Sequence, residues 1–86
     1  MDELKEVIAK ICEDALQGRI TLDDFYGRWP VEADQFEPLR VIFKDLEDGI
    51  THTPGMIFSK EIDMMAWEKS DSYKKIDRHL LDLKNS

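Results

Sequence analysis

The chain has 86 residues, of which 42% are hydrophobic, and a formal net charge of -7. Its length fits one domain with a single core, residues 1–86, and its hydrophobic content excludes a chain that is disordered throughout. The negative charge makes nucleic acid and anionic membrane surfaces poor partners and a basic protein a better one.

The excess negative charge lies entirely in the first 50 residues. Residues 1–17 contribute -3, residues 18–30 sum to zero, residues 31–50 contribute -4, and the rest of the chain is balanced. No stretch approaches the run of about 18 apolar residues that a membrane helix needs. The acidic start lacks the basic and apolar regions of a signal peptide, and a single cysteine, Cys12, cannot form an internal disulfide. We therefore expect a cytoplasmic protein.

Two helices are predicted in the first third of the chain. Apolar residues recur at helical spacing over residues 2–17, and Gly18 is the natural end of this first helix. Thr21 can cap a second helix over about Leu22 to Arg28, and Asp24, three residues on, gives a shorter-armed relative of the capping box.

The second helix should turn Leu22, Phe25 and Tyr26 toward the core. Trp29 precedes a proline and is therefore expected to be extended, with its ring packed across the ends of neighbouring helices. Residues 31–35 form either a loop or an early helical turn.

The clearest amphipathic helix covers residues 36–50, FEPLRVIFKDLEDGI. Its apolar residues form one stripe: Leu39, Ile42, Phe43, Leu46 and Ile50. Gly49 marks its expected end. The stripe needs apolar packing partners from the chain segments before and after it. This helix is therefore the expected centre of the fold.

A loop with the strong turn signal Pro54-Gly55 follows, and Met56, Ile57 and Phe58 are expected to lie beneath the bundle. The next helix is predicted from Lys60 to about Lys69, with Ser59 as its cap.

Residues 59–84 form either one continuous helix or two. Lys69 interrupts the apolar stripe, and Ser70, Asp71 and Ser72 are good capping residues, so two helices with a bend at residues 70–72 are favoured. The sequence thus predicts an all-α domain, a small bundle of four or five helices around a central amphipathic helix.

The acidic run at residues 45–48 has the composition of a calcium loop but not its register. If Gly49 were the sixth loop position, the first ligand would be Lys44, and if Asp45 were the first, the bidentate twelfth ligand would be Met56. We predict no metal site and no cofactor.

Catalytic motifs are missing from the sequence. His52 is the only plausible general base, His79 is expected to be exposed, and neither has a second histidine or cysteine at metal-ligand spacing. No serine has nucleophile-elbow glycines, and there is no glycine-rich phosphate loop. Lys74, Lys75 and Arg78 alternate with acidic residues on the last helix, so it does not predict nucleic-acid binding. We expect a protein that is not an enzyme.

Protein binding is the function that remains. The acidic positions Asp45, Glu47 and Asp48, continued by His52, suggest a docking face for a basic partner. Trp67 lies in a run of apolar residues that covers more of its helix than a core stripe requires, so it is either an apolar anchor or a core residue. The alternative is a homo-oligomeric structural or accessory protein that associates through its C-terminal helix.

The stretch VIFKDLEDGITHTPG, residues 41–55, resembles the small immunity proteins that neutralise bacterial nuclease toxins. The resemblance implies a bacterial, helical protein that binds a basic toxin domain through an acidic surface beside a helix. Residue by residue, the resemblance carries over to the acidic positions Asp45, Glu47 and Asp48. The paired tyrosines that anchor the family's interface have no counterpart near Met56, Ile57 and Phe58.

Overall fold

A computed structural model describes residues 2–53, 55–56 and 62–85 of the chain. Within these ranges every regular element is a helix and there is no strand, which confirms the all-α prediction. The elements are α1 (Asp2–Leu16), α2 (Leu22–Arg28), a 3-10 helix (Val31–Gln35), α3 (Glu37–Thr51), α4 (Met64–Lys69) and α5 (Asp71–Asn85).

The first helix ends where the sequence predicts. Gly18 has a φ of 68°, a conformation that glycine adopts without a Cβ penalty. Its amide donates to the carbonyl of Ala15, and the amide of Arg19 donates to that of Asp14. These bonds satisfy carbonyls that the end of a helix leaves without partners, so α1 stops at Leu16.

Helix α2 has the predicted bounds and the predicted capping box. The Asp24 amide donates to the Thr21 hydroxyl, and the Thr21 amide donates to the Asp24 carboxylate, each over 3.2 Å. Phe25 is buried, but the prediction that Tyr26 faces the core is wrong, because its side chain is 47% exposed. Trp29 is extended and buried as expected.

The central helix α3 begins at Glu37, with Pro38 in its first turn, where a proline removes no helical hydrogen bond. Leu39, Ile42 and Leu46 are buried, so the predicted core stripe faces inward. The predicted end at Gly49 is wrong, since the helix continues through Thr51.

Gly49 serves close packing rather than termination. A Cβ atom at this position would lie 3.0 Å from Ser72 Cβ and 3.2 Å from Trp67 Cη2. The absence of a side chain therefore lets α3 approach the junction between α4 and α5.

Residues 64–85 form two helices, as favoured from the sequence. Ser70, with a ψ of 154°, separates them, and its hydroxyl accepts the Tyr73 amide at the start of α5. Helix α4 starts later than predicted: Ile62 and Asp63 precede it, and the Asp63 carboxylate caps it by accepting the amides of Met65 and Ala66.

Part of the predicted loop lies outside the described residues. This applies to Ile57, Phe58 and Ser59 and to the predicted helix start at Lys60. Met56 is fully buried, as expected.

The first and last helices form the most extensive interface of the fold, and α3 packs beside them against α5. Trp67 joins this arrangement to the end of α1: its indole N–H lies 3.0 Å from the Ala15 carbonyl and 3.2 Å from that of Leu16. No helix in the described part of the chain is long and apolar enough to cross a membrane.

Candidate functional site

The five residues predicted to bind a partner do not form one surface. Positions two apart on a helix project about 200° apart around its axis, so Asp45 and Glu47 face opposite flanks of α3. Their contacts show this directly. Asp45 Oδ2 lies 2.7 Å from His79 Nε2 on α5, whereas Glu47 accepts a hydrogen bond from the Tyr26 hydroxyl on α2.

Glu47 is therefore part of the contact between α2 and α3. The Tyr26 hydroxyl donates to its carboxylate, and this bond raises the pKa of the phenol, because ionisation would remove the donated hydrogen. Partial desolvation and the negative charge of Glu47 act in the same direction. The sequence gives no signal for this pairing, since the two residues are 21 positions apart.

Asp45, Asp48 and His52 do come together. Spacings of three and four residues place them on one side of α3, together with Glu37 and Val41. We call these five residues the outer stripe. It runs along the flank of α3 that faces α5, as the bond from Asp45 to His79 shows.

The prediction that His79 is exposed is wrong. Its ring is only 19% exposed and reaches across to Asp45, 34 residues away in sequence. Asp45 thus has a partner within the chain. Asp48 and Glu37 are the exposed carboxylates of the outer stripe.

His52 has a local structural role at the end of α3. Its Nδ1 lies 2.7 Å from the Asp48 carbonyl oxygen, and because a carbonyl only accepts, Nδ1 must carry the hydrogen. The hydroxyls of Thr51 and Thr53 donate to the carbonyls of Glu47 and Gly49, over 2.8 Å each. Three consecutive side chains therefore bond to carbonyls at the end of the helix, which gives the sequence THT a structural role.

One acidic residue of α3 lies where it opposes helix stability. The C-terminal end of a helix carries a partial negative charge, and a carboxylate in the last turn is disfavoured by about 0.3 to 1 kcal/mol. Asp48 lies in the last turn of α3, which contains no basic residue, whereas Asp45 and Glu47 lie before it and are bonded to His79 and Tyr26. The stability of the helix therefore does not explain why position 48 is acidic.

Trp67 belongs to the core rather than to a docking surface. Its side chain is 2% exposed, its indole N–H is bonded to α1, and its ring packs edge-on against Tyr73 at 5.8 Å. The core interpretation of this residue therefore replaces the anchor interpretation.

The C-terminal helix, the alternative surface for self-association, packs its apolar residues against the core of its own chain. Ile76 and Leu80 are buried, and Tyr73 and Leu83 pack against the core. The exposed side of α5 has one large apolar side chain, Leu81, among charged residues.

An apolar groove of about 570 Å³ lies beside the outer stripe, and it was not predicted from the sequence. Leu39 and Ile42 form its floor, and Phe36, Val41 and Leu83 are among its walls. Val41 could have drawn attention to it, since it is an apolar residue on the polar side of α3 and is 48% exposed.

Reactive or metal-binding chemistry is not evident at these positions. The described residues contain no group of three or more His, Cys, Asp or Glu side chains placed to hold a metal ion. Cys12 is buried, and burial, with a smaller effect from Glu13, raises the pKa of its thiol to about 12, so little thiolate forms. Comparison of the chain with protein-family models, curated proteins and solved structures finds no match.

Proposed function

We propose that this protein is a non-enzymatic binding module that docks a basic partner protein through the outer stripe of α3. The observation that carries the proposal is the placement of three carboxylates, those of Glu37, Asp45 and Asp48, on one stripe of α3, the last of them in a final turn that has no basic residue. Asp48 opposes the helix dipole there, and complementary charge on a partner would offset that cost.

The residues of the outer stripe have different roles in this proposal. Asp48 and Glu37 are exposed and attract the partner over a distance. Asp45 is oriented by His79, so its carboxylate is presented in a fixed position. Glu47 adds to the negative field but faces α2.

The resemblance of residues 41–55 to immunity proteins gives the proposal a specific form. In that form the protein is an inhibitor, its partner is a basic toxin domain, and both meet in a bacterial cytoplasm. A lone buried thiol, Cys12, fits such a reducing compartment.

The first experiment is affinity capture from a lysate of the source cell at low salt, using the wild-type chain and an Asp48→Lys, Glu37→Lys double variant as baits. A basic protein should be retained by the wild type, lost from the variant, and released from the wild type at high salt, since salt screens exposed charges. Asp77→Lys, Glu68→Lys is the matched control, because it changes charge equally at exposed positions outside the outer stripe.

Association and dissociation rates measured with the captured protein then distinguish long-range electrostatic attraction from contacts made within the complex. The double variant should associate at least about tenfold more slowly at low salt, with a smaller change in the dissociation rate. Equal association rates for the wild type and both charge variants would contradict the proposal.

A further inference from the structure

The groove beside α3 carries an inference that rests on the proposed function and identifies the part of the partner that docks. Phe36 is 37% exposed and Val41 48% exposed, and both line the groove above the buried Leu39 and Ile42. Apolar side chains that remain accessible around a concave surface are typical of binding grooves.

The groove and the acidic residues are continuous along one helix. Val41 belongs to the outer stripe as well as to the groove, and Asp45 and Asp48 follow it at four and seven residues. With a rise of 1.5 Å per residue, Asp48 lies about 10 Å beyond Val41 along the axis of α3. An elongated partner that lies along α3 can therefore contact both.

The charges around the groove favour a basic partner segment. Asp82 lines the wall formed by α5, and Asp45 lies one turn from Val41. Within the lining, Asp82 and Lys5 balance in charge, and His79 is paired with Asp45. The excess negative charge comes from Glu37 and Asp48, the exposed carboxylates of the outer stripe, which can accept hydrogen bonds from new cationic donors.

We infer that the groove binds a basic amphipathic helix of the partner protein, lying along α3. One apolar side chain of that helix enters the groove beside Val41. Lysine or arginine residues four and seven positions further along it reach Asp45 and Asp48, because two helices packed side by side have the same rise per residue.

A synthetic peptide tests this inference even before the partner protein has been identified. It has about 15 residues with capped ends, leucines at i, i+3 and i+4, lysines at i+7, i+8 and i+11, and alanine elsewhere, so that a helix can form in which the leucines and then the lysines follow one another along the same face. Titration into the ¹⁵N-labelled protein should shift the amide resonances of Phe36, Val41, Asp48 and Leu83 and reach saturation. A scrambled peptide of the same composition is the control.

The deciding variant is Val41→Glu, which adds a negative charge at the groove wall. Its helix is preserved, because glutamate favours helices at least as well as valine and the site is exposed. Binding by charge alone would keep or raise the affinity for a basic peptide. Binding in the groove should instead weaken it at least tenfold, since the leucine loses its apolar contact.

Several results would overturn the inference. These are no saturable binding up to about 1 mM peptide, shifts confined to residues outside the groove, equal binding of the scrambled peptide, or unchanged affinity of Val41→Glu. Concentration-dependent shifts of the groove residues without peptide would show that a second copy of this chain is the occupant. If Val41→Glu binds the captured partner normally while Asp48→Lys, Glu37→Lys does not, the groove inference fails and the proposed function stands.

Discussion

Asp14, on α1, is the buried charged residue of the described chain, and it joins α1 to α2. Its carboxylate lies 2.8 Å from Arg28 Nη1, 3.0 Å from Arg19 Nη2 and 3.6 Å from Lys10 Nζ. Burial by itself would raise the pKa of Asp14, but the hydrogen bond from Arg28 and the three positive charges outweigh it and lower the pKa overall. The carboxylate is therefore stabilising in its ionised form.

Replacing Asp14 by asparagine should reduce the free energy of unfolding by about 1 to 2 kcal/mol at pH 7, because charge-assisted bonds are lost while the partly exposed arginines stay hydrated. The pKa is lower in the folded state. The wild type therefore keeps this contribution above about pH 4, the ordinary range of an aspartate, and loses it as the pH falls through the folded value.

Urea unfolding at a series of pH values measures this difference. The gap between the wild type and Asp14→Asn should close in acid, whereas Asp77→Asn, at an exposed position on α5, should track the wild type throughout. A gap that stays constant down to strongly acidic pH would contradict the role given to Asp14.

Single residues show where prediction from sequence ends. Helical spacing correctly places Asp45 and Asp48 on one side of α3, because periodicity determines which face a residue occupies. It cannot show that Asp45 meets His79 or that Trp67 meets α1, since these partners lie 34 and about 50 residues away. The groove likewise depends on two helices that are distant in sequence.

At the scale of elements, helix ends are predicted well where the signal is local. Gly18 and the capping box of Thr21 and Asp24 act within a few residues, so the sequence contains the whole interaction. Gly49 gives a wrong helix end because the same residue type serves a second purpose, close approach to another helix. The late start of α4 has its own local signal in Asp63, a capping residue as good as the predicted Ser59.

Gly27 in α2 and Gly49 in α3 allow a matched comparison. Gly49→Ala should destabilise the protein by about 1 to 3 kcal/mol, because the new methyl group meets Ser72 and Trp67 at 3.0 to 3.2 Å. Gly27→Ala should instead stabilise it by about 0.5 to 1 kcal/mol, since a Cβ there meets nothing within 4 Å and alanine restricts the unfolded chain.

Thermal and urea unfolding of both variants measure whether each substitution raises or lowers the free energy of unfolding. Opposite signs are the expected result. If Gly49→Ala were as stable as Gly27→Ala, the contact between α3 and the junction of α4 and α5 would be looser than the structure shows.

At the scale of the whole molecule, the last helix completes the hydrophobic core. The radius of gyration is 11.9 Å, close to the value of about 12 Å for a compact chain of this length. Helix α5 packs against both α1 and α3, and its Ile76 and Leu80 are buried. Each such side chain contributes about 2 kcal/mol, which is a large part of the net stability of a small domain.

A chain that ends at Lys69 should therefore fail to fold. Circular dichroism should show loss of most helical signal and of a cooperative transition, because the apolar faces of α1 and α3 stay in water. A chain that ends at Lys84, which lacks only the exposed Asn85 and the final serine, is the control and should unfold like the full sequence. Cooperative unfolding of the shorter chain would show that α5 is dispensable.

The bond from Trp67 to the end of α1 also sets an order of events during translation. The carbonyls of Ala15 and Leu16 are synthesised about 50 residues before the indole that bonds to them. At the usual rates of synthesis this interval lasts about 3 to 10 s. Because the first helix also packs against the last one, its apolar face obtains its native partners only when synthesis is nearly complete.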